Sequence, residues 1–93
     1  MKVFAIAKLT ASFTPEKLQP HMQAEVPATL RHYLDGVIEQ FWFREGAGPI
    51  FLMNVASVEE AQAALDTLPL VKADLIAYDL LPVGPLMPLG RLI

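Results

Sequence analysis

Three runs of this 93-residue chain, FWF at 41–43, IFLM at 50–53 and LIAY at 75–78, are apolar at every position. Successive side chains of a β-strand point to opposite faces of its sheet, so a strand that does not alternate presents apolar surface on both sides. An antiparallel sheet with one wet face alternates apolar and polar residues. These strands do not, and both faces of the sheet they build require cover. A layer of helices can cover one face, and a second copy of the same sheet is the simplest cover for the other. Composition points the same way: 54% of the residues are hydrophobic and 18% are charged, with mean hydropathy +0.40. A domain this small hides about two thirds of its chain's surface, and the surplus predicts a homodimer or a higher homo-oligomer.

The elements follow from local signals. Residues 2–10, KVFAIAKLT, are rich in β-formers and lack Gly and Pro, which predicts a first strand. Thr14, Pro15 and Glu16 then give a hydroxyl N-cap, a proline at the first helical position and an acid in the first turn. The helix they open is predicted over 15–34 and stops at Asp35-Gly36. Pro20 and Pro27 fall inside it, and each removes a hydrogen bond at a cost of about 3 kcal/mol. The expectation is one kinked helix or two short ones. A second strand is predicted over 37–45, a turn at Gly46-Ala47-Gly48, and a third strand over 49–56, the pair forming a hairpin. Ser57-Val58-Glu59-Glu60 reads as a capping box, and Val58, Ala61, Leu65 and Leu68 recur at helical spacing before Pro69 stops the helix. Residues 73–83 read as the last strand, and the apolar tail at 85–93 is expected to pack on the body or on the partner subunit.

The order β-α-β-β-α-β predicts a single α+β domain over 1–93. Two crossovers around a central hairpin give a ferredoxin-like fold, a four-stranded antiparallel sheet with both helices on one face. Two such sheets closed face to face would make a dimeric α+β barrel.

Composition also excludes function classes. The formal net charge is −3 and the pI about 5.2. The seven lysines and arginines are scattered, not gathered into the basic patch that neutralises phosphates, so no nucleic-acid partner is expected. The absence of cysteine removes disulfides, thiolate catalysis and zinc–cysteine sites. EGAGP lacks the lysine and the spacing of a phosphate loop, and no G-x-G-x-x-G occurs. Of the two serines, Ser12 and Ser57, the latter is a cap, leaving little for a hydrolase triad. MKVFAIAKLTASF starts like a signal peptide, but Lys8 breaks its short apolar run, and it reads as a strand. No segment approaches the roughly 18 unbroken apolar residues of a membrane helix. A cytoplasmic protein without a membrane partner is the expectation.

The candidate chemistry lies in HMQAEVPATLRH, residues 21–32, which holds both histidines of the chain. On a helical wheel Leu18, Met22, Val26, Thr29, Leu30 and Tyr33 form an apolar arc, with His21, Glu25 and His32 on one flank of it. Those three groups therefore fall at the seam between helix and sheet. A carboxylate half-buried there has its charged form disfavoured, which suits it to general base work near neutral pH. The plainer alternative is a helix-edge glutamate in water or paired with Arg31 or a histidine. A metal is not expected: His21 and Glu25 are one turn apart, but His32 lies about 16 Å further along the axis and cannot complete a three-ligand site.

On the second strand strict alternation places Ile38, Gln40, Trp42 and Arg44 on one face and Val37, Glu39, Phe41 and Phe43 on the other. Gln40, Trp42 and Arg44 are candidates for the wall of a small-molecule pocket, with the arginine offering a carboxylate two parallel hydrogen bonds. Trp42 taken alone reads as core, Arg44 reads equally as a wet strand end, and Glu39 could pair across a dimer. Asn54 and Tyr78 interrupt apolar runs, and such groups must be hydrogen-bonded or put to use.

The stretch GPIFLMNVASVEEAQAALDTLPLVKADLIAYDLLPVGP resembles the corresponding part of the muconolactone delta-isomerase family: a strand, an SVEEA-type helix start, LPL at the helix end and an acidic-apolar last strand. Ala24-Glu25 in the first helix, Gly36 and Trp42 extend the likeness over the whole chain, and LPLVKADLI is closer to the uncharacterised bacterial members than to the isomerase itself. The resemblance implies oligomers built from ferredoxin-like dimers, and a cofactor-independent enzyme that moves a proton within an unsaturated lactone during aromatic-compound breakdown. It makes Glu25 the candidate base, with His21 and His32 as alternatives, and Gln40, Arg44 or Tyr78 the holder of the carbonyl oxygen. One departure stands out: the isomerase carries a basic residue and a histidine where this chain has Glu39 and Gln40. A cofactor-free oxygenase or a polyketide-modifying enzyme would use the same barrel and pocket. The rival of another class is a non-catalytic ligand-binding, regulatory or assembly module of the same fold.

Overall fold

A computed structural model describes residues 1–84; the expected packing of the tail at 85–93 lies outside the described residues. The chain runs β1 (Lys2–Leu9), α1 (Pro15–Leu34), β2 (Ile38–Arg44), β3 (Gly48–Asn54), α2 (Val58–Leu65), α3 (Pro69–Lys72) and β4 (Ile76–Val83). The four strands form one open antiparallel sheet in the order β2-β3-β1-β4. This is the ferredoxin-like α+β fold that the sequence predicts, with one helix more.

The additional helix corrects two boundaries. The second helix ends at Leu65, not at Leu68, and Pro69 opens a short helix instead of closing a long one. Proline suits a first helical position, where its missing N–H has no partner to lose. Residues 69–72, next to the expected last strand, are therefore helical, and β4 begins at Ile76.

The caps behave as their residue types require. Thr14 Oγ1 accepts from the Lys17 N–H at 3.2 Å, and Ser57 Oγ accepts from the Glu60 N–H at 3.1 Å. The Glu60 carboxylate reaches back to the Ala56 N–H at 3.2 Å. α1 is one continuous helix of 20 residues with Pro20 and Pro27 inside it, rather than two short ones. Glu16, Pro20, Gln23 and Pro27 are all exposed and lie within about 60° of one another on the wheel. The carbonyls that lose their helical donors, those of Glu16 and Gln23, thus sit on the solvent side, where water can replace the missing bonds.

Register assigns the faces. Val3, Ala5 and Ala7 of β1 sit opposite Met53 and Phe51 of β3 and Leu80 and Tyr78 of β4. With Ile38 and Ile76 they make the helix-facing core, closed by Ala61 and Leu65 of α2 and by Leu68 and Leu70. The other face carries Phe4, Ile6, Ile50, Leu52 and Leu81, ion-paired at its two ends by Lys2 with Glu39 and by Lys8 with Asp79. Glu39, a candidate for pairing across a dimer, finds its partner within the chain.

Strict alternation fails in β2. The register slips between Ile38 and Gln40: Ile38 sits opposite Met53 and Gln40 opposite Leu52, leaving Glu39 as the extra residue of a bulge. A bulge inserts one residue and shifts the alternation that follows it. Ile38 therefore joins Phe41 and Phe43 on the helix side, while Gln40, Trp42 and Arg44 point to the outer face. The hairpin turn depends on Gly48, whose φ is +94° and where an added Cβ would stand 3.1 Å from the Ala7 Cβ. Side chains other than glycine's rarely adopt such a φ.

Candidate functional site

The two long helices meet the sheet differently. α2 buries Ala61 and Leu65, whereas the single buried residue of α1 is Glu25, at 8% exposure. Glu25 lies opposite the proline stripe on the wheel, at the edge of the apolar arc, as its spacing predicts. The arc does not close on the sheet: Met22, Val26, Leu30 and Tyr33 are exposed. Between α1 and β2 lies a cavity of about 780 Å³. Leu18, Met22, Val26 and Leu30 form its helical wall, and Phe41, Phe43, Phe51 and Ile76 its sheet wall.

α1 is held at its flanks. Near its C-terminal end Tyr33 packs edge-on against Phe41 of β2, ring centroids 5.1 Å apart. On the other flank the Leu70 N–H donates to Glu25 Oε1 at 3.0 Å, and His32 Nε2 lies 2.8 Å from Thr67 Oγ1. The Leu70 bond has a plain cause. The first N–H groups of any helix lack intrahelical acceptors; Pro69 has no N–H, and Leu68 offers α3 no side-chain cap. The Glu25 carboxylate, arriving from α1, fills that role.

The polar side chains among the cavity-lining residues on the helix side of the sheet, among the described residues, are Glu25, Thr29 and Tyr78. Thr29 Oγ1 donates to its own helix at the Glu25 carbonyl, 3.0 Å away. Tyr78 stacks on Phe51 with centroids 5.5 Å apart, and its hydroxyl has no hydrogen-bond partner among the described residues. Burial pushes the Glu25 carboxyl above its ordinary range; the Leu70 N–H and then the nearby His21 pull it back only in part. Burial also raises the Tyr78 phenol far above its ordinary range, and the Glu25 charge adds to this. The phenol thus stays protonated at any ordinary pH, near a carboxyl that burial holds above its usual range.

The sequence-selected residues do not all converge on the cavity. Glu25, Tyr78 and Trp42 border the cavity. His21 stands one turn before Glu25, partly exposed, and acts on it through charge. His32 faces Thr67 and does not line the cavity. Gln40 and Asn54 are exposed on the outer sheet face, where Asn54 lies opposite Lys2. Trp42, expected in the core, is 46% exposed and packs against Phe4 at a centroid distance of 6.3 Å. Arg44 is neither a wet strand end nor free for a carboxylate. Its guanidinium donates to the carbonyls of Ala7 at 2.6 Å and of Ala47 and Gly48 at 3.3 Å, binding the hairpin turn to β1. Nor is Glu25 a helix-edge glutamate in water or paired with Arg31; its partner is a backbone N–H.

Features not read from the sequence include the Leu70 N–H and the aromatic wall of the cavity, Phe13, Phe41, Phe43 and Phe51. LPL at 68–70 carries the signal for the first, because a proline that starts a helix leaves the next N–H in need of an acceptor. In comparisons with known proteins, no family model and no curated protein matches this chain.

Proposed function

We propose that this chain is a small cofactor-independent enzyme that moves a proton within an unsaturated lactone or a related oxygenated molecule held between α1 and β2. The observation that carries this reading is a buried carboxyl, Glu25, on the wall of an otherwise apolar cavity that also presents the Tyr78 hydroxyl. The Glu25 carboxylate takes a proton from the carbon between the carbonyl and the double bond. The resulting dienolate spreads its charge onto the carbonyl oxygen, to which Tyr78 donates a hydrogen bond. Glu25 then returns the proton two carbons further on, and the double bond shifts into conjugation. A base whose pKa is raised toward the working pH favours both transfers, and a donor aimed at the developing charge stabilises the intermediate. The likeness of residues 48–85 to the muconolactone delta-isomerase family supports this chemistry and a place in aromatic-compound breakdown.

The test is conversion of a β,γ-unsaturated γ-lactone to its conjugated isomer, with incorporation of deuterium from D₂O followed by NMR. Wild type should accelerate both, and Glu25→Gln should lose about 100-fold or more, the usual contribution of a positioned acid–base group. Turnover left intact in the variant removes Glu25 as the base.

One observation favours a second reading. The Leu70 bond already gives Glu25 a structural task, as in a binding or assembly module without turnover. Thermal stabilisation by a lactone that is never altered would select that reading.

Face-to-face pairing into a barrel belongs to the same proposal. Its support is the outer sheet face, where Phe4, Ile6, Ile50 and Leu52 are incompletely buried and Trp42 and Leu81 are 46% exposed. Sedimentation should give a dimer at micromolar concentration; a well-folded monomer there would overturn it.

A further inference from the structure

The charge and the size of the cavity narrow its occupant, on the reading that it holds a small molecule. Among the described residues no lysine, arginine or histidine lines it. The arginine that the sequence offered as a carboxylate clamp, Arg44, has its guanidinium fixed on three backbone carbonyls. The strongly ionisable group that does face the space is itself acidic, Glu25. An anionic ligand would leave water for an apolar wall without a counter-charge, which is among the most expensive transfers a protein can make, and would meet a like charge there. The volume of about 780 Å³ lies in the upper part of the roughly 300–1,000 Å³ span of pockets that enclose drug-sized ligands. A single lactone ring would leave most of it unfilled, and unfilled apolar surface forfeits both dispersion and burial.

We infer that the cavity takes an uncharged molecule of two or more fused rings with a carbonyl or hydroxyl directed at Glu25 and Tyr78, and that it discriminates against carboxylates. The aromatic wall, Phe13, Phe41, Phe43 and Phe51, matches flat ring faces.

The experiment is equilibrium dialysis of the full chain against three probes at pH 7.5: 2-acetonaphthone, 2-naphthoate and a one-ring butenolide. The neutral bicyclic ketone should bind at least tenfold more tightly than the naphthoate and than the butenolide. Glu25→Gln, which removes the repelling charge, should raise naphthoate affinity and narrow the first gap. Phe43→Lys places a cation at a rim position that is 77% exposed, so the fold should persist, and the naphthoate should gain severalfold over the ketone. Naphthoate binding as tightly as the ketone in wild type overturns the charge preference, and butenolide binding as tightly overturns the size preference. Either result leaves a small-molecule cavity, and with it the proposed proton transfer, intact. Failure of all three probes to bind, with butenolide turnover also absent, overturns both the inference and the reading on which it rests.

Discussion

α2 and α1 lie on the same face of one sheet, yet they use it in opposite ways. α2 is short and buries Ala61 and Leu65 completely, with Leu68 and Leu70 extending the seal into α3. α1 is more than twice as long and buries one residue, a carboxylic acid. The sheet beneath is not the reason, since Phe51 and Met53 are fully packed. What differs is the means of attachment. α2 is held by apolar contact along its length, whereas α1 sets only the partly buried Leu18 and Ala28 against the core and is otherwise held at two flanks, through Tyr33 on Phe41 and through Glu25 on Leu70. The space between those attachments stays open. One half of the domain is closely packed, and the other leaves a cavity open between helix and sheet.

The sharpest way to break that comparison is to cut a leucine-sized group from each half. Leu65→Ala removes a side chain that is 1% exposed and should cost about 2–5 kcal/mol, the transfer loss plus the cavity left behind. Leu30→Ala trims a cavity-lining leucine that is 44% exposed and should cost about 1 kcal/mol or less. Urea-denaturation midpoints of the two variants measure the difference directly. Equal costs would mean that α1 is packed in solution as tightly as α2, and the division of labour would disappear.

Much of the architecture was legible because local and global signals agree. Thr14-Pro15-Glu16 and the Ser57 capping box fix where two helices begin, Gly46 and Gly48 fix the hairpin, and the unbroken apolar strands identify the sheet. Three things were not legible, each for a physical reason. The bulge at Glu39 leaves no mark in the period of the strand; VIEQFWFR alternates as well with it as without it, and only pairing against β3 decides. That single residue puts Ile38 and Phe41 on the same face, and it carries Gln40 and Arg44 to the side away from Glu25. Pro69 is the second case. A proline after a helical run stops one helix or starts the next, and local sequence does not separate the two. Glu25 itself was legible as a group at the seam between helix and sheet. Its partner was not, because the Leu70 N–H exists as a free donor only once α3 has formed, 45 residues further along the chain.

The attachment of α1 through Glu25 also makes a smaller prediction with a defined sign. Glu25→Ala deletes the acceptor and leaves the Leu70 N–H unpaired in a buried place, at a cost of about 1–3 kcal/mol. Glu25→Gln keeps a carbonyl oxygen for that N–H and should cost far less. The two variants also separate hydrogen bond from charge. Burial raises the folded-state pKa of Glu25, so the native protein holds this proton more tightly than the unfolded chain does. Protonation therefore contributes stability that is fully present below the unfolded value, near about 4.3, and is lost as pH rises through the folded one. Above that point wild type carries a buried charge and Glu25→Gln does not. Denaturation midpoints across pH 4 to 8 should show the stability of Glu25→Gln relative to wild type rising with pH and then levelling, while Glu25→Ala stays below Glu25→Gln throughout. A relative stability that falls with rising pH would mean the carboxylate is stabilised in its charged form. Glu25 would then be an ordinary ionised cap of α3, and a weaker base than the proposed proton transfer calls for.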